Sequence, residues 1–328
     1  MSFRREFLKS AALLPFAGGA LVPGAIRAAP AAPPSRVGGP SLKLSLNAYS
    51  FARLLNDRLL GRGDGLSLEQ LAEFCARHNF DAIDITAYYF PGYRERTPPP
   101  DSFVYAVKRR CFELGLAISG TGTGNNFTTA DREARARDVA WVKQGVELAA
   151  KLGAPVLRVF ADTQMRAQTW ETVSQGASRT EVEKWIADDI RACADHGAKH
   201  GVIIGVQNHG DFLQTADQVI SLLNRIDSPW CGAIVDTGYF KAPDPYAEIA
   251  RVAPYAVNWQ IKQSPLGVEK EAEAPTDLKR LLRIVRDSGY RGYLPIETLS
   301  PRGGGNYDPF TVVPKFLAEV RAALAATA

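Results

Sequence analysis

Eight short apolar runs alternate with eight longer amphipathic ones, and this alternation constrains the fold more than any other feature of the chain. The apolar runs are LKLSLN (42–47), AIDIT (82–86), LAISG (116–120), VLRVF (156–160), VIIGVQ (202–207), GAIVD (232–236), AVNWQIK (256–262) and YLPIE (293–297). Helical patterns fall between and after them at about 67–79, 101–114, 131–152, 180–200, 215–225, 245–252, 276–288 and 311–326. Nearly continuous apolar strands separated by helices predict a parallel sheet covered on its outer face. Eight such units close into one α/β domain, a single (β/α)8 TIM barrel, and 328 residues are enough to build it. A doubly wound open sheet is the competing arrangement, but no Gly-x-Gly-x-x-Gly turn follows the first strand. The glycine-rich GTGTGNNF at 120–127 follows the third strand and is weak evidence for phosphate binding.

Helix-end chemistry agrees with this parsing. Ser67 with Gln70 three residues on forms a capping-box pattern, Thr129 or Asp131 caps the helix that follows, and Gly153 and Gly289 stand where helices end.

The first 29 residues are set apart by their own pattern. Arg4 and Arg5 precede Phe7, Leu8 and Lys9, then an apolar run ends near Ala28 and Ala29, which resembles a twin-arginine export signal. A membrane anchor is the alternative, yet Pro15, Gly18, Gly19 and Pro23 interrupt any run of about 20 apolar residues. Residues 30–41 are rich in Pro, Ala and Gly and read as a tether to a domain spanning 42–328. The expectation is an exported, periplasmic protein without a membrane span once mature, handled by the twin-arginine machinery. Loss of the leader removes Arg4, Arg5, Lys9 and Arg27 against Glu6, so the formal charge of +4 falls by 3 to +1. That balance lacks the clustered basic excess that nucleic acid requires. Cys75, Cys111, Cys193 and Cys231 show no CxxC spacing and read as buried free thiols.

Function in such a barrel collects at the carboxyl ends of the strands. Gln207, Asp236, Gln260 and Glu297 stand at the ends of four successive late strands, and their oxygens form a hard set suited to Mg²⁺ or Mn²⁺. Of the four histidines only His209 falls at a strand end; His78, His196 and His200 fall near helix ends. Lys262 joins Glu297 and His209 as a candidate for proton chemistry. Arg158, Asn126, Asn208, Tyr239 and Trp259 are candidate substrate contacts. Two readings stand for Arg158, a sugar or phosphate contact and a pair with Asp162; two stand for Tyr239 and Trp259, stacking on a sugar and packing.

The stretch GVIIGVQNHGDFLQTADQVISLLNRIDSPWCGAIVDTGYF (201–240), with YAVNWQIK and GYRGYLPIE after it, resembles the sugar phosphate isomerase/epimerase family with the xylose isomerase-like TIM barrel. In that family one strand ends in Glu-Asn-His-Gly and the next in Asp-Thr-Gly. The resemblance implies a divalent metal, Mn²⁺ or Mg²⁺ first and Co²⁺ or Zn²⁺ as alternatives, held at Gln207, Asp236, Gln260 and Glu297. Two of these four differ from the family's Glu, Asp, His and Glu. It also implies a small-molecule sugar substrate and proton abstraction beside a carbonyl. An amide at 207 has no useful basicity, so two-base epimerisation gives way to isomerisation or to elimination from keto-sugar glycosides. A sugar-binding barrel without catalysis is a rival from another class. An endonuclease-like relative with a zinc cluster fits poorly, given few histidines and a nearly neutral mature charge.

Overall fold

The computed structural model describes residues 32–63, 65–162, 168–263, 275–299 and 306–327. The expected leader, 1–29, lies outside them. Eight parallel strands close into a barrel in sequence order: β1 (Ser41–Asn47), β2 (Ala82–Asp84), β3 (Ala117–Gly122), β4 (Val156–Phe160), β5 (Ile203–Gln207), β6 (Cys231–Asp236), β7 (Ala256–Lys262) and β8 (Arg291–Glu297). Every neighbouring pair is parallel and β8 returns to β1 over six residue pairs, which settles the choice between barrel and open sheet.

The helices are α1 (Ala52–Leu59), α2 (Leu68–Arg77), α3 (Asp101–Glu113), α4 (Arg132–Leu152), α5 (Trp170–Val173), α6 (Arg179–His200), α7 (Ala216–Ile226), α8 (Pro245–Val252), α9 (Leu278–Asp287) and α10 (Pro309–Ala326). The short α1 and α5 are additions to the eight read from the sequence. Ser67 and Gln70 form the expected capping box, and Asp131, not Thr129, caps α4 by accepting from the Glu133 and Ala134 amides. Gly153 ends α4 at φ 79°, a left-handed turn in which a side chain is strained. Cys75, Cys111 and Cys193 are buried and Cys231 is half-buried, all as free thiols.

Strand periodicity decides which side chains reach the site. Alternate residues such as Leu46, Ile83, Val159, Val206, Val235, Ile261 and Ile296 face outward into the apolar layer beneath the helices, against Val142, Ile186, Ile190, Leu222 and Leu282. Each such aliphatic side chain contributes about 1.5–3 kcal/mol by leaving water. The opposite set faces the barrel axis and is polar: Ser45, Asn47, Asp84, Arg158, Gln207, Asp236, Asn258, Gln260, Lys262 and Glu297 are all buried.

Candidate active site at the carboxyl end of the barrel

Strand register brings the late-strand ends together. Asp236 stands opposite Gln260 and Lys262 opposite Glu297. The Asp236-Thr237-Gly238 turn fixes this corner: the Gly238 amide donates to Asp236 Oδ1 at 3.0 Å, and the Lys262 amide donates to Thr237 Oγ1 at 2.9 Å. Asp236 Oδ2 is left to face Gln207, whose Nε2 donates to it at 2.6 Å and to Gln260 Oε1 at 2.8 Å. Lys262 Nζ donates to Glu297 Oε1 and lies 3.6 Å from Asp236 Oδ2.

Burial pushes the Asp236 carboxyl up, the Lys262 charge pulls it back and Glu297 raises it again, to about 6. Burial works against the charge on Lys262, but Asp236 and Glu297 outweigh it and hold the ammonium above its ordinary range. Lys262 is therefore a cation that donates hydrogen bonds and cannot serve as a base.

The amide groups test whether this donor set fits a divalent cation. Gln260 Oε1 faces Glu297 Oε2 at 3.2 Å and Asp236 Oδ2 at 3.3 Å, oxygen against oxygen. Exchanging its amide O and N lets it donate to both and accept from Asn47 Nδ2 at 3.1 Å, but sets its nitrogen against Gln207 Nε2 at 2.8 Å. A cation among the oxygens removes the conflict once Gln207 turns its own Oε1 inward, and that atom is buried without a hydrogen-bond partner. Neighbouring oxygens around an octahedral cation with bonds of about 2.1 Å stand roughly 3 Å apart. The contact edges here, between 2.6 and 3.3 Å, bracket that spacing. The residues fit a hard divalent ion.

Other expected contacts divide into those near this cluster and those committed elsewhere. The His209 ring lies on Tyr239, centroids 3.6 Å apart, and 5.3 Å from Phe160. Burial, with the charges of Lys262 and Arg158, keeps its imidazole well below the ordinary histidine range and hence neutral. That shift disfavours the protonated ring and so opposes its expected use as an acid. Tyr239 lies 5.9 Å under the Lys262 ammonium. Arg158 stacks over Phe160 at 4.1 Å and donates to Tyr88 Oη at 2.9 Å. It does not pair with Asp162, which is turned to the Phe212 amide at 2.7 Å and the Asp211 amide.

Three of the expected substrate contacts make packing or local hydrogen-bond contacts. Trp259 is 0% exposed and packs edge-on against Tyr290 in the outer layer, because it lies between the inward-facing Asn258 and Gln260 on a strand of period two. Asn208 spends its amide on backbone, donating to the Asp236 carbonyl at 2.9 Å and accepting from the Asp236 amide at 2.7 Å. Asn126 accepts from the Thr128 amide and hydroxyl at 3.0 and 2.7 Å, closing its own turn. Tyr88 and Gly122 were missing from the sequence reading. The aromatic run AYYF at 87–90, directly after a strand end, is the signal that points to Tyr88. A separate cluster, Glu147 with His196 and His200, lies on α4 and α6 outside the barrel.

A closed eight-stranded barrel with an oxygen-rich cluster at its carboxyl end defines a class of (β/α)8 barrels built around strand-end chemistry. Residues 72–318 match the Xylose isomerase-like TIM barrel family, and the chain belongs to that family. Solved structures of similar fold include 3-keto-D-glucoside 4-epimerase from E. coli, at 16% identity and a TM-score of 0.62 over 86% of this chain and 99% of that one. D-allulose 3-epimerase from Methylomonas sp. shares 15% identity, with a TM-score of 0.68 over 89% and 100%. An L-ribulose 3-epimerase shares 15%, with a TM-score of 0.68 over 87% and 95%. No curated protein sequence matches at a significant level.

Proposed function

We propose that the barrel mouth is the active site of a sugar isomerase or epimerase-like enzyme that removes a proton from the carbon beside a carbonyl. The observation that carries this reading is the convergence of Gln207, Asp236, Gln260, Glu297 and Lys262 from four successive strand ends. The neighbouring folds whose names specify 3-keto-glucoside, allulose and ribulose epimerases support a sugar as ligand.

Glu297 is the base. Its Oε1 accepts from Lys262, which holds the carboxylate in place, and when Glu297 takes up the proton the ammonium keeps Asp236, 3.6 Å away, as its counter-charge. Lys262 donates to the carbonyl oxygen as charge develops there, which is where a positioned cation lowers the barrier most. Asp236, Gln207, Gln260 and Glu297 would hold Mn²⁺ or Mg²⁺, with Co²⁺ or Zn²⁺ as alternatives, and a bound ion supplies Lewis acidity at the same oxygen. His209 stays neutral and, with Tyr239, walls the site. Gln207 takes up no proton, so no second base faces Glu297 from that strand. The proton therefore returns from Glu297 to a neighbouring carbon, which is isomerisation, or a β-substituent departs, which is elimination from a keto-sugar glycoside. The amide at 207 is the specific observation that keeps this second outcome open.

The test is proton NMR of neutral ketoses and 3-keto-glucosides in D₂O with Mn²⁺-free, Mg²⁺-loaded protein. The expected result is deuterium entering beside the carbonyl, lost in Glu297→Gln. Exchange that survives in Glu297→Gln removes that residue from the mechanism. The arginine pair at the amino end further supports work outside the cytoplasm; cell fractionation with Arg4→Lys and Arg5→Lys together is expected to shift the protein from periplasm to cytoplasm, and unchanged export refutes it.

A further inference from the structure

Two arginines among the described residues are almost wholly buried, and their surroundings differ. Arg135 is 7% exposed, and its Nε donates to Asp189 Oδ2 at 2.9 Å while Nη1 donates to the Thr129 carbonyl at 2.7 Å. It is a paired structural cation. Arg158 is 8% exposed, yet no carboxylate lies within 4.0 Å of it among the described residues, and its one hydrogen-bond acceptor there is Tyr88 Oη. A guanidinium carries five N–H donors, and a buried charge is costly unless it is paired.

The surroundings of Arg158 hold it in place without neutralising it. Phe160 and Tyr88 lie under its plane at 4.1 and 5.2 Å. On β3, Gly122 makes room: a Cβ there would fall 2.4 Å from Nε and 2.7 Å from Nη2. Asp84 senses the Arg158 charge but accepts from Asn258 Nδ2 at 3.2 Å instead. Phe160, stacked against Arg158, lies 5.3 Å from the His209 ring, which rests on Tyr239, and Tyr239 lies 5.9 Å from Lys262 Nζ, so one run of contacts joins the two cations in a single chamber. Lys262 is committed to Glu297 and Asp236; among the described residues Arg158 pairs with no anion.

We propose that Arg158, set by Tyr88, Phe160 and Gly122, binds a carboxylate of the substrate, so that the sugar handled at this mouth is a sugar acid. This rests on the reading of the mouth as a sugar site and names its substrate class. A single guanidinium presents two parallel donors, the fork that matches a carboxylate. A phosphate calls for further donors, and the three N–H groups of Lys262 are already divided among Glu297, Asp236 and the substrate carbonyl. The carboxylate then anchors one end of the substrate at Arg158 while the reacting carbon lies near Glu297 and Lys262.

Calorimetric titration of the Mg²⁺-loaded mature protein with D-glucuronate, D-glucose and D-glucose 6-phosphate tests this. The expected order is glucuronate tighter than glucose by about tenfold or more, the scale of one charge-assisted pair. Arg158→Gln is expected to bring the two affinities together, and Gly122→Ala to do the same by displacing the guanidinium. Arg158→Lys restores only part of the gap because a point charge replaces the fork. Equal affinity of the wild-type protein for glucuronate and glucose overturns the proposal, as does tightest binding of the phosphate, or a preference that persists in Arg158→Gln. Absence of binding by all three also overturns it. Failure of the underlying reading shows differently, as no Glu297-dependent deuterium exchange with any ketose, neutral or acidic.

Discussion

Replacing Asn208 by alanine isolates what holds Asp236 in position. The Asn208 amide is buried and bridges both the N–H and the C=O of Asp236, at 2.7 and 2.9 Å. Alanine leaves those two backbone groups without partners on the last residue of β6, in a place where the strand ladder has ended. An unsatisfied buried polar group costs about 1–3 kcal/mol, so the pair costs roughly 2–6 kcal/mol. For a domain of this size that corresponds to a fall in Tm of about 3–10 °C. Differential scanning calorimetry of the protein measures it, and metal titration on the same samples reports whether Asp236 has moved. Asn208→Asp should be no better, since it keeps the acceptor, loses the donor and buries a charge beside Asp236. A change within about 0.5 kcal/mol, the range of an ordinary surface substitution, would falsify the assignment of Asn208 as a positioning residue and return it to the list of sugar contacts.

Other outcomes follow from the same geometry. Trp259→Ala is expected to cost about 3–5 kcal/mol in denaturant unfolding, whereas Trp259→Phe keeps substrate affinity; an affinity loss in the Phe variant with stability intact would place the indole in the site after all. Gln207→Glu is expected to bind Mn²⁺ as tightly or more tightly, read by isothermal titration, because a charged oxygen replaces a neutral one; abolished binding argues that residue 207 is not a ligand. Asp162 offers a test of pH. Burial, then a hydrogen bond with the Asp211 carboxyl, raises its pKa well above the ordinary range, so the folded state holds a proton that the unfolded state releases. Stability from this pair is present below the unfolded carboxylate pKa and falls as pH rises toward the folded one. Asp162→Asn, which keeps an acceptor for the Asp211 and Phe212 amides and supplies the donor permanently, should flatten that fall in Tm; a slope identical to wild type contradicts the shared proton.

The barrel was legible because each of its strands is buried on both faces or ends in polar residues, and because turn and cap residues separate them cleanly. VLRVF and AVNWQIK became β4 and β7 with the same limits, while β2 shortened to Ala82–Asp84. The four strand-end oxygens were legible for the same reason, since barrel topology alone brings consecutive strand ends together. Side-chain direction was legible too, but only through parity: in AVNWQIK the polar Asn258, Gln260 and Lys262 take one face and Trp259 takes the other. Reading strand ends without that parity sent Trp259 to the wrong side. What no pattern in the sequence shows is the spacing across strands. Asn208 meets the Asp236 backbone because β5 and β6 are adjacent, and Arg158 escapes Asp162 because the 211–212 amides claim that carboxyl first. Gly122 is one glycine of the GTGTGNNF run in the sequence, and its role shows only when the guanidinium of the next strand is placed over it.

Elemental analysis of the folded protein, purified without chelator and set beside the Asp236→Ala/Glu297→Ala variant, shows whether the strand-end oxygens form a divalent-cation site. The account predicts about one Mn, Mg, Co or Zn per chain in the wild type and loss of that ion in the variant. Equal metal content in both proteins, or none in either after incubation with divalent ions, contradicts it.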